Sequence, residues 1–489
     1  MKALIAIGTI LMSVSFVCCS CTTKPNNDPE PPAEPDYNVN AWVSTASRSQ
    51  TFNKTGVDFS AGTNMSPNTI RLRPATTYQT MDGFGAAITG STCYNLMKMS
   101  ASDRADFLKE VFDTATGLGY SYVRISIGAS DFSLSEYTCW DVQGADNFGL
   151  TSEETNYVIP IMQEILAINP KLKVIGSPWT CPRWMKVQNK GGSTPYNSWT
   201  SGHLNTAHYQ DYATYFVKWI RAFQAKCVPI YSVTIQNEPL NGGNSASLLM
   251  EWDEMRDFVK VLGPKLQEAG LSTKVYVFDH NFNYDNRSDQ EDYPIKIYND
   301  ATAASFVTGS AYHDYGGDPS ECTDIHTQRP DKEIIFTEAS IGEWNHGRDF
   351  ENTFTGSVER GLQYVQNWCK AVMVWNLMLD INGAPYRPGG CDECYGVVDI
   401  STDYKTITRN NQYYQIGHLS KVVKPNAVRI GASGYQPNGL VYQAFKNTDG
   451  TYALVLLNKS NAEITFTVED DNHYFSYAVP AKAAASLKW

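Results

Sequence analysis

The chain is poor in charge. Asp, Glu, Lys and Arg make up 18% of its 489 residues, against about 25% in an ordinary globular domain. What charge there is leans acidic: 39 Lys and Arg against 51 Asp and Glu leave −12 at pH 7. That excludes a broad nucleic-acid surface, which needs basic patches. Long apolar runs are missing after residue 17, so no later segment reaches the roughly 20 residues a membrane-spanning helix needs. A glycine-rich phosphate loop is missing too. Gly83-Phe84-Gly85 lacks the remaining glycine and the acidic partner of a dinucleotide fingerprint. Cys391-Asp392-Glu393-Cys394 is a C-x-x-C without the second pair that a structural zinc site requires. In an exported chain it reads as a local disulfide or as free thiols. No cofactor or metal is expected. Aromatics, by contrast, are plentiful, with 29 Tyr and 11 Trp. Most serve a large core, and with so little charge the remainder suit a neutral, ring-shaped ligand.

The N-terminus reads as a targeting segment. Lys2 precedes an apolar stretch over residues 3–17 that is too short to span comfortably, and Cys18-Cys19-Ser20-Cys21 follows. Small residues before a cysteine at this point resemble a bacterial lipoprotein cleavage site. Cys21 is the expected lipid-bearing residue, Cys19 the alternative, and ordinary secretion the other reading. Residues 1–21 are then a signal peptide. Residues 22–40 hold Pro25, Pro29, Pro31, Pro32 and Pro35 and form a solvated tether. The expectation is an exported lipoprotein of a Gram-negative bacterium, monomeric and held at the outer membrane only by its anchor.

The middle of the chain alternates two periods. β-rich runs recur at 80–88, 120–128, 173–179, 231–238, 274–281, 306–313, 333–339 and 371–379. Between them lie stretches such as 101–112 and 208–224, whose apolar residues recur every three to four positions, the helical period. Strands alternating with helices imply a parallel sheet. Eight such units fit a (β/α)8 TIM barrel, expected over residues 76–420. From 421 to 489 only short strands and turns occur, and residues 41–75 have the same character. The two ends are expected to build one side β-sandwich.

Two of the β-rich runs deliver a glutamate: Thr234-Ile235-Gln236-Asn237-Glu238-Pro239 and Ile334-Ile335-Phe336-Thr337-Glu338-Ala339. They are the fourth and seventh strands by this count. A barrel gathers the C-terminal ends of its strands on one face, where such folds keep their chemistry. Paired carboxylates are what glycoside cleavage needs, one to protonate the leaving oxygen and one to attack or to activate water. Those roles predict opposite environments: a raised pKa for the acid, an ionised carboxylate for the nucleophile. Sequence spacing leaves retention or inversion open.

The segments Met81-Asp82-Gly83-Phe84-Gly85-Ala86-Ala87-Ile88-Thr89, Val123-Arg124-Ile125-Ser126-Ile127-Gly128-Ala129-Ser130-Asp131-Phe132-Ser133 and Ser177-Pro178-Trp179-Thr180-Cys181-Pro182-Arg183-Trp184-Met185-Lys186, with Asn237-Glu238-Pro239, resemble glycoside hydrolase family 30. The resemblance runs from about residue 70 to the C-terminus. It implies a retaining hydrolase in which Glu238 is the general acid/base and Glu338 the nucleophile. It further implies that Asn237 meets the sugar 2-hydroxyl, that Arg124 steadies the nucleophile, and that Asp131 and Trp179 hold hydroxyls. His313 and Tyr315 match the family's His-x-Tyr, and Trp375 is expected to floor the pocket as a stacking platform. The overall character is closest to the endo-β-1,6-glucanase branch, with a β-linked glucan as substrate. An exo-acting β-glucosidase or β-xylosidase, a glucosylceramidase, or a non-catalytic glycan-binding lipoprotein are the alternatives.

Overall fold

The computed structural model describes residues 37–282 and 287–489. The expected signal peptide, with Cys21, and most of the expected tether lie outside the described residues.

Eight parallel strands close into a barrel: β1 (Gly83–Ala87), β2 (Tyr122–Ile127), β3 (Lys173–Pro178), β4 (Ser232–Thr234), β5 (Lys274–Asn281), β6 (Gly309–His313), β7 (Glu333–Glu338) and β8 (Ala371–Asn376). Each lies within one of the eight β-rich runs read from sequence. The strands are apolar because both of their faces are covered, as parallel strands require. Helices follow where the period changes. Ala101–Phe112 is capped by Ser100, whose hydroxyl accepts from the Asp103 amide, and Tyr209–Gln224 turns Tyr212, Phe216, Trp219, Ile220 and Phe223 inward.

The barrel interior is layered. At the N-terminal end, Lys173 pairs with Asp82 at 2.8 Å, and Lys274 and Lys370 each reach Glu333 at 2.8 Å. An apolar plug of Tyr122, Ile175, Tyr276, Ala311, Ile335, Ala371 and Met373 fills the middle. The C-terminal end carries the polar groups described below.

The flanking module is one ladder of nine strands. Val39–Thr45, Thr51–Val57 and Thr69–Thr80 come from the N-terminal side, the other six from residues 428–488. Val39, Ala41, Ile70, Leu72, Leu454, Phe466 and Phe475 form its core. Both ends of the chain thus build the sandwich, as expected. It is joined to the barrel by the helix Asn411–Val422, which is buried at nearly every position. His418 on that helix bonds Ser486 at 2.8 Å, and Ser486 donates back to the His418 carbonyl at 2.7 Å. Burial drives the His418 imidazole down to about 3, so it crosses this seam uncharged.

A helix buried on both sides has no stable solvated form by itself. Residues 81–423 expressed without the sandwich strands are therefore expected to lack a cooperative thermal transition, whereas residues 37–489 show one in the same scan. A sharp transition for the shorter chain would contradict this packing.

Candidate active site

Two carboxylates face each other across the barrel mouth. Glu238 lies four residues past the end of β4, and Glu338 is the last residue of β7. Both are buried. One carboxylate oxygen of each, together with a ring nitrogen of His313, lie within 4.8 Å of one another. This is the grouping among the described residues whose spacing suits a metal ion. However, His313 Nε2 already faces Asp279 at 3.1 Å and Arg124 already binds Glu338, so a further cation would compete with a guanidinium in place.

Arg124, wholly buried on β2, ties the site together. Its guanidinium donates to Glu338, to Asn237 Oδ1 at 2.6 Å, to Asp279 Oδ2 at 2.9 Å and to Ser177 Oγ at 3.0 Å. Its flat face lies over Trp179 and Trp375, 4.8 and 5.3 Å from the ring centres. The Asn237 carbonyl oxygen is occupied by this bond, so its amide N–H groups are left to face a ligand.

Asp279 is the second hub, and the sequence reading passed over it. Its Oδ2 accepts from Thr234 at 2.6 Å, and its Oδ1 accepts from Thr337 at 2.6 Å. Strand β5 bulges between Phe278 and His280, with Phe278 at φ 71° and Asp279 at φ 64°. A bulge of this kind re-aims a side chain, and it is this kink that turns Asp279 into the barrel. Strict alternation along Phe278-Asp279-His280 cannot foresee it. The register also slips beside His313 and beside Trp375. The strands are thus irregular where they meet the site. Glu238 itself stands at φ 45°, a left-handed conformation that a non-glycine residue adopts at a cost of about 1–3 kcal/mol.

The remaining expected residues are gathered as follows. His313 Nδ1 faces Glu238 at 3.4 Å and Glu338 at 3.8 Å. The Tyr315 hydroxyl donates to Glu338 at 2.9 Å, from a ring 39% exposed at the rim. Trp179 and Trp375 stack on each other at 5.2 Å, and both are almost fully covered. Trp375 therefore spends most of one ring face on Trp179. Two buried polar atoms of the expected set have no hydrogen-bond partner: Asp131 Oδ1 and Trp179 Nε1. Each unpaired group costs about 1–3 kcal/mol, which a hydroxyl-bearing ligand would offset. The loop after β8 closes this side. Cys391 and Cys394 form a disulfide, the Arg387 amide donates to the Asp131 carbonyl at 2.7 Å, and the Arg387 side chain pairs with Glu136 at 2.8 Å.

The electrostatics reverse the expected order of the two acids. Burial pushes Glu238 up, but the His313 hydrogen bond and the charges of His280 and His313 outweigh it and hold the carboxyl down at about 2. Burial raises Glu338, as do Glu238 and Asp279, and His313 and Arg124 only partly oppose them. Burial pulls the His313 imidazole down, yet the surrounding carboxylates Glu338, Asp279 and Glu238 carry it up to about 9. The mobile proton therefore rests on His313 rather than on Glu238.

This has a consequence for stability. The raised His313 contributes fully below its ordinary value of 6.5 and loses that contribution as pH climbs through about 9. The lowered Glu238 contributes fully above 4.5 and loses it as pH falls toward about 2. Thermal midpoints should therefore fall between pH 6.5 and 9, and His313→Gln should flatten that fall. An equal decline in the variant would contradict the assignment. Asp279→Leu, which takes from the buried Arg124 one of its two carboxylate partners, should cost about 3–5 kcal/mol in denaturant unfolding.

Comparison with known proteins agrees with this architecture. Residues 81–423 match the Glycosyl hydrolase family 30 TIM-barrel domain, and residues 426–487 match that family's beta sandwich domain. A solved endo-beta1,6-glucanase superposes with a TM-score of 0.92 at 56% identity, over 93% of this chain and 99% of the other. An endo-1,6-beta-D-glucanase of Neurospora crassa is 31% identical over 82% of this chain and 83% of its own. A putative glucosylceramidase of Caenorhabditis elegans is 30% identical over 91% of this chain and 89% of its own. The chain belongs to glycosyl hydrolase family 30.

Proposed function

We propose that this protein is an endo-acting β-1,6-glucanase that cleaves with retention, using Glu338 as nucleophile and Glu238 as general acid/base. The observation that carries the mechanism is the short gap between the two carboxylates, whose nearest ligand atoms lie within 4.8 Å. Retaining enzymes hold their carboxyl groups about 5–5.5 Å apart, whereas inverting ones leave about 6.5–9.5 Å for a water.

Glu338 attacks the anomeric carbon as the glycosidic bond breaks, and Glu238 gives a proton to the departing oxygen. Water then attacks the glycosyl-enzyme ester, Glu238 takes the water's proton, and Glu338 leaves as carboxylate. Arg124 and Tyr315 donate to Glu338, which orients it and stabilises its ionised form. The Asn237 amide is free to meet the sugar 2-hydroxyl, and Asp131 Oδ1 and Trp179 Nε1 await further hydroxyls. The proton that Glu238 must carry is held by His313. Imidazolium beside carboxylate and imidazole beside carboxylic acid have the same net charge. Moving one proton between them across 3.4 Å therefore arms the acid without changing the charge of the site.

The β-1,6 linkage is supported by the names of the solved glucanase and the Neurospora relative. Glucosylceramide is the competing substrate, on the strength of the nematode relative. The proposed setting is export as a lipoprotein through Cys21, with the tether holding a monomeric catalytic body away from the membrane.

Mature protein given linear β-1,6-glucan should release a ladder of oligosaccharides early, and glucosylceramide should remain intact. Monomer alone from the start would contradict endo action. Glu338→Gln should lose at least about 10⁴-fold in kcat, in the range of a lost nucleophile. Glu238→Gln should keep substantial activity on an aryl glycoside whose leaving group needs no proton. Equal losses for both variants on that substrate would contradict the assigned roles.

A further inference from the structure

Behind the end of β7 lies a cavity of about 340 Å³ that the chemistry above does not use. It is bounded by the loop after Glu338, by the length of the helix Phe350–Gln366 from Thr353 to Tyr364, and by the first turns of Asn411–Val422. In a barrel the helices run back from the mouth, so their first turns lie on the catalytic face. Ala339 and Ser340, which directly follow Glu338, form one wall, and Asp314, which lies between His313 and Tyr315, forms another.

Its lining is neutral and rich in hydrogen-bonding groups: Ser340, Asn345, Thr353, Ser357, Asn411 and Gln415. The charged groups there, Asp314 and Arg360, cancel in a two-pronged ion pair at 2.5 and 2.7 Å. One of the polar atoms, Asn411 Oδ1, is buried without a hydrogen-bond partner, while the Ser340 side chain turns to Tyr315. Buried polar atoms are nearly always paired, so an unpaired one in a cavity wall calls for a partner from outside.

Gly356 is an independent sign. It sits within the helix Phe350–Gln366 and lines the cavity. Glycine weakens a helix interior relative to alanine, so a steric reason is usually to be found. None exists here: a Cβ built on Gly356 would meet nothing within 4 Å. The missing side chain instead leaves open space on an exposed part of the cavity wall.

We infer that this cavity is a second sugar subsite, which takes an uncharged glucose ring of the same glucan beside the cleft. Donors and acceptors without net charge match the hydroxyls of a neutral pyranose, and an anion or cation would meet no countercharge. The inference rests on the substrate proposed above. A polymer engaged at both places would be held more tightly than a short oligomer engaged only at the cleft, which suits internal cleavage.

The test is a calorimetric titration of the inactive Glu338→Gln protein with a β-1,6-linked glucose tetrasaccharide. Two binding equivalents are expected, falling to one when Gly356→Leu is added. Ser357→Leu, one residue along the same helix, should have the same effect and guards against misfolding of either variant. On the active background, Gly356→Leu should raise KM for long glucan several-fold and leave kcat and the rate on the tetrasaccharide unchanged. One equivalent in the parent, or two that survive both substitutions, would overturn the subsite and leave the substrate assignment standing. No binding by the parent and no hydrolysis of the glucan by the unsubstituted enzyme would overturn both.

Discussion

The site depends on one buried cation. Arg124 has no contact with solvent, and taking a charge out of water costs several kcal/mol unless partners compensate. The fold compensates by aiming carboxylates at it from two strands, Asp279 on β5 and Glu338 on β7, with Ser177 on β3 completing the shell. That arrangement fixes Glu338 from behind and leaves its other oxygen to Tyr315. His313 then finds Glu238, Glu338 and Asp279 around it and becomes the second cation. The positive charge that develops on a sugar ring as its glycosidic bond breaks then meets the carboxylates of Glu238 and Glu338 at the barrel mouth.

Much of this was legible in the sequence. The alternation of periods, read together with the family resemblance, marked all eight barrel strands, because parallel strands and amphipathic helices leave different apolar patterns. Glu238 and Glu338 stood out because a carboxylate at the end of an apolar strand demands a reason. Asp279 did not stand out, since the signal that exposes it is a bulge with two left-handed residues, and no local pattern in Phe278-Asp279-His280 announces one. The order of the two acids was equally hidden. It depends on His313, which comes from a different strand, and on the desolvation of the whole cluster. Neither is a property of the residues flanking either glutamate.

The loops after β3 and β8 are held from within. After β3, the buried Lys186 ammonium donates to the carbonyls of Ser198, Ser201 and Ser247 at 2.8–3.0 Å, so a long polar loop is pinned from within. After β8, the Cys391–Cys394 disulfide places Cys394 in one cluster with Phe132, Trp179 and Trp375. A covalent staple thus packs against the aromatic wall of the cleft. Rigid loops of this kind hold a cleft's shape in the absence of substrate, which limits the ordering cost of binding.

The most direct measurement of the central claim is the configuration of the sugar first released, followed by proton NMR before mutarotation sets in. Glutamates this close, acting by double displacement on a β-linked glucan, predict that the β anomer appears first and the α anomer only later. An α anomer appearing first would mean direct attack by water, and would contradict the account of Glu338 as nucleophile.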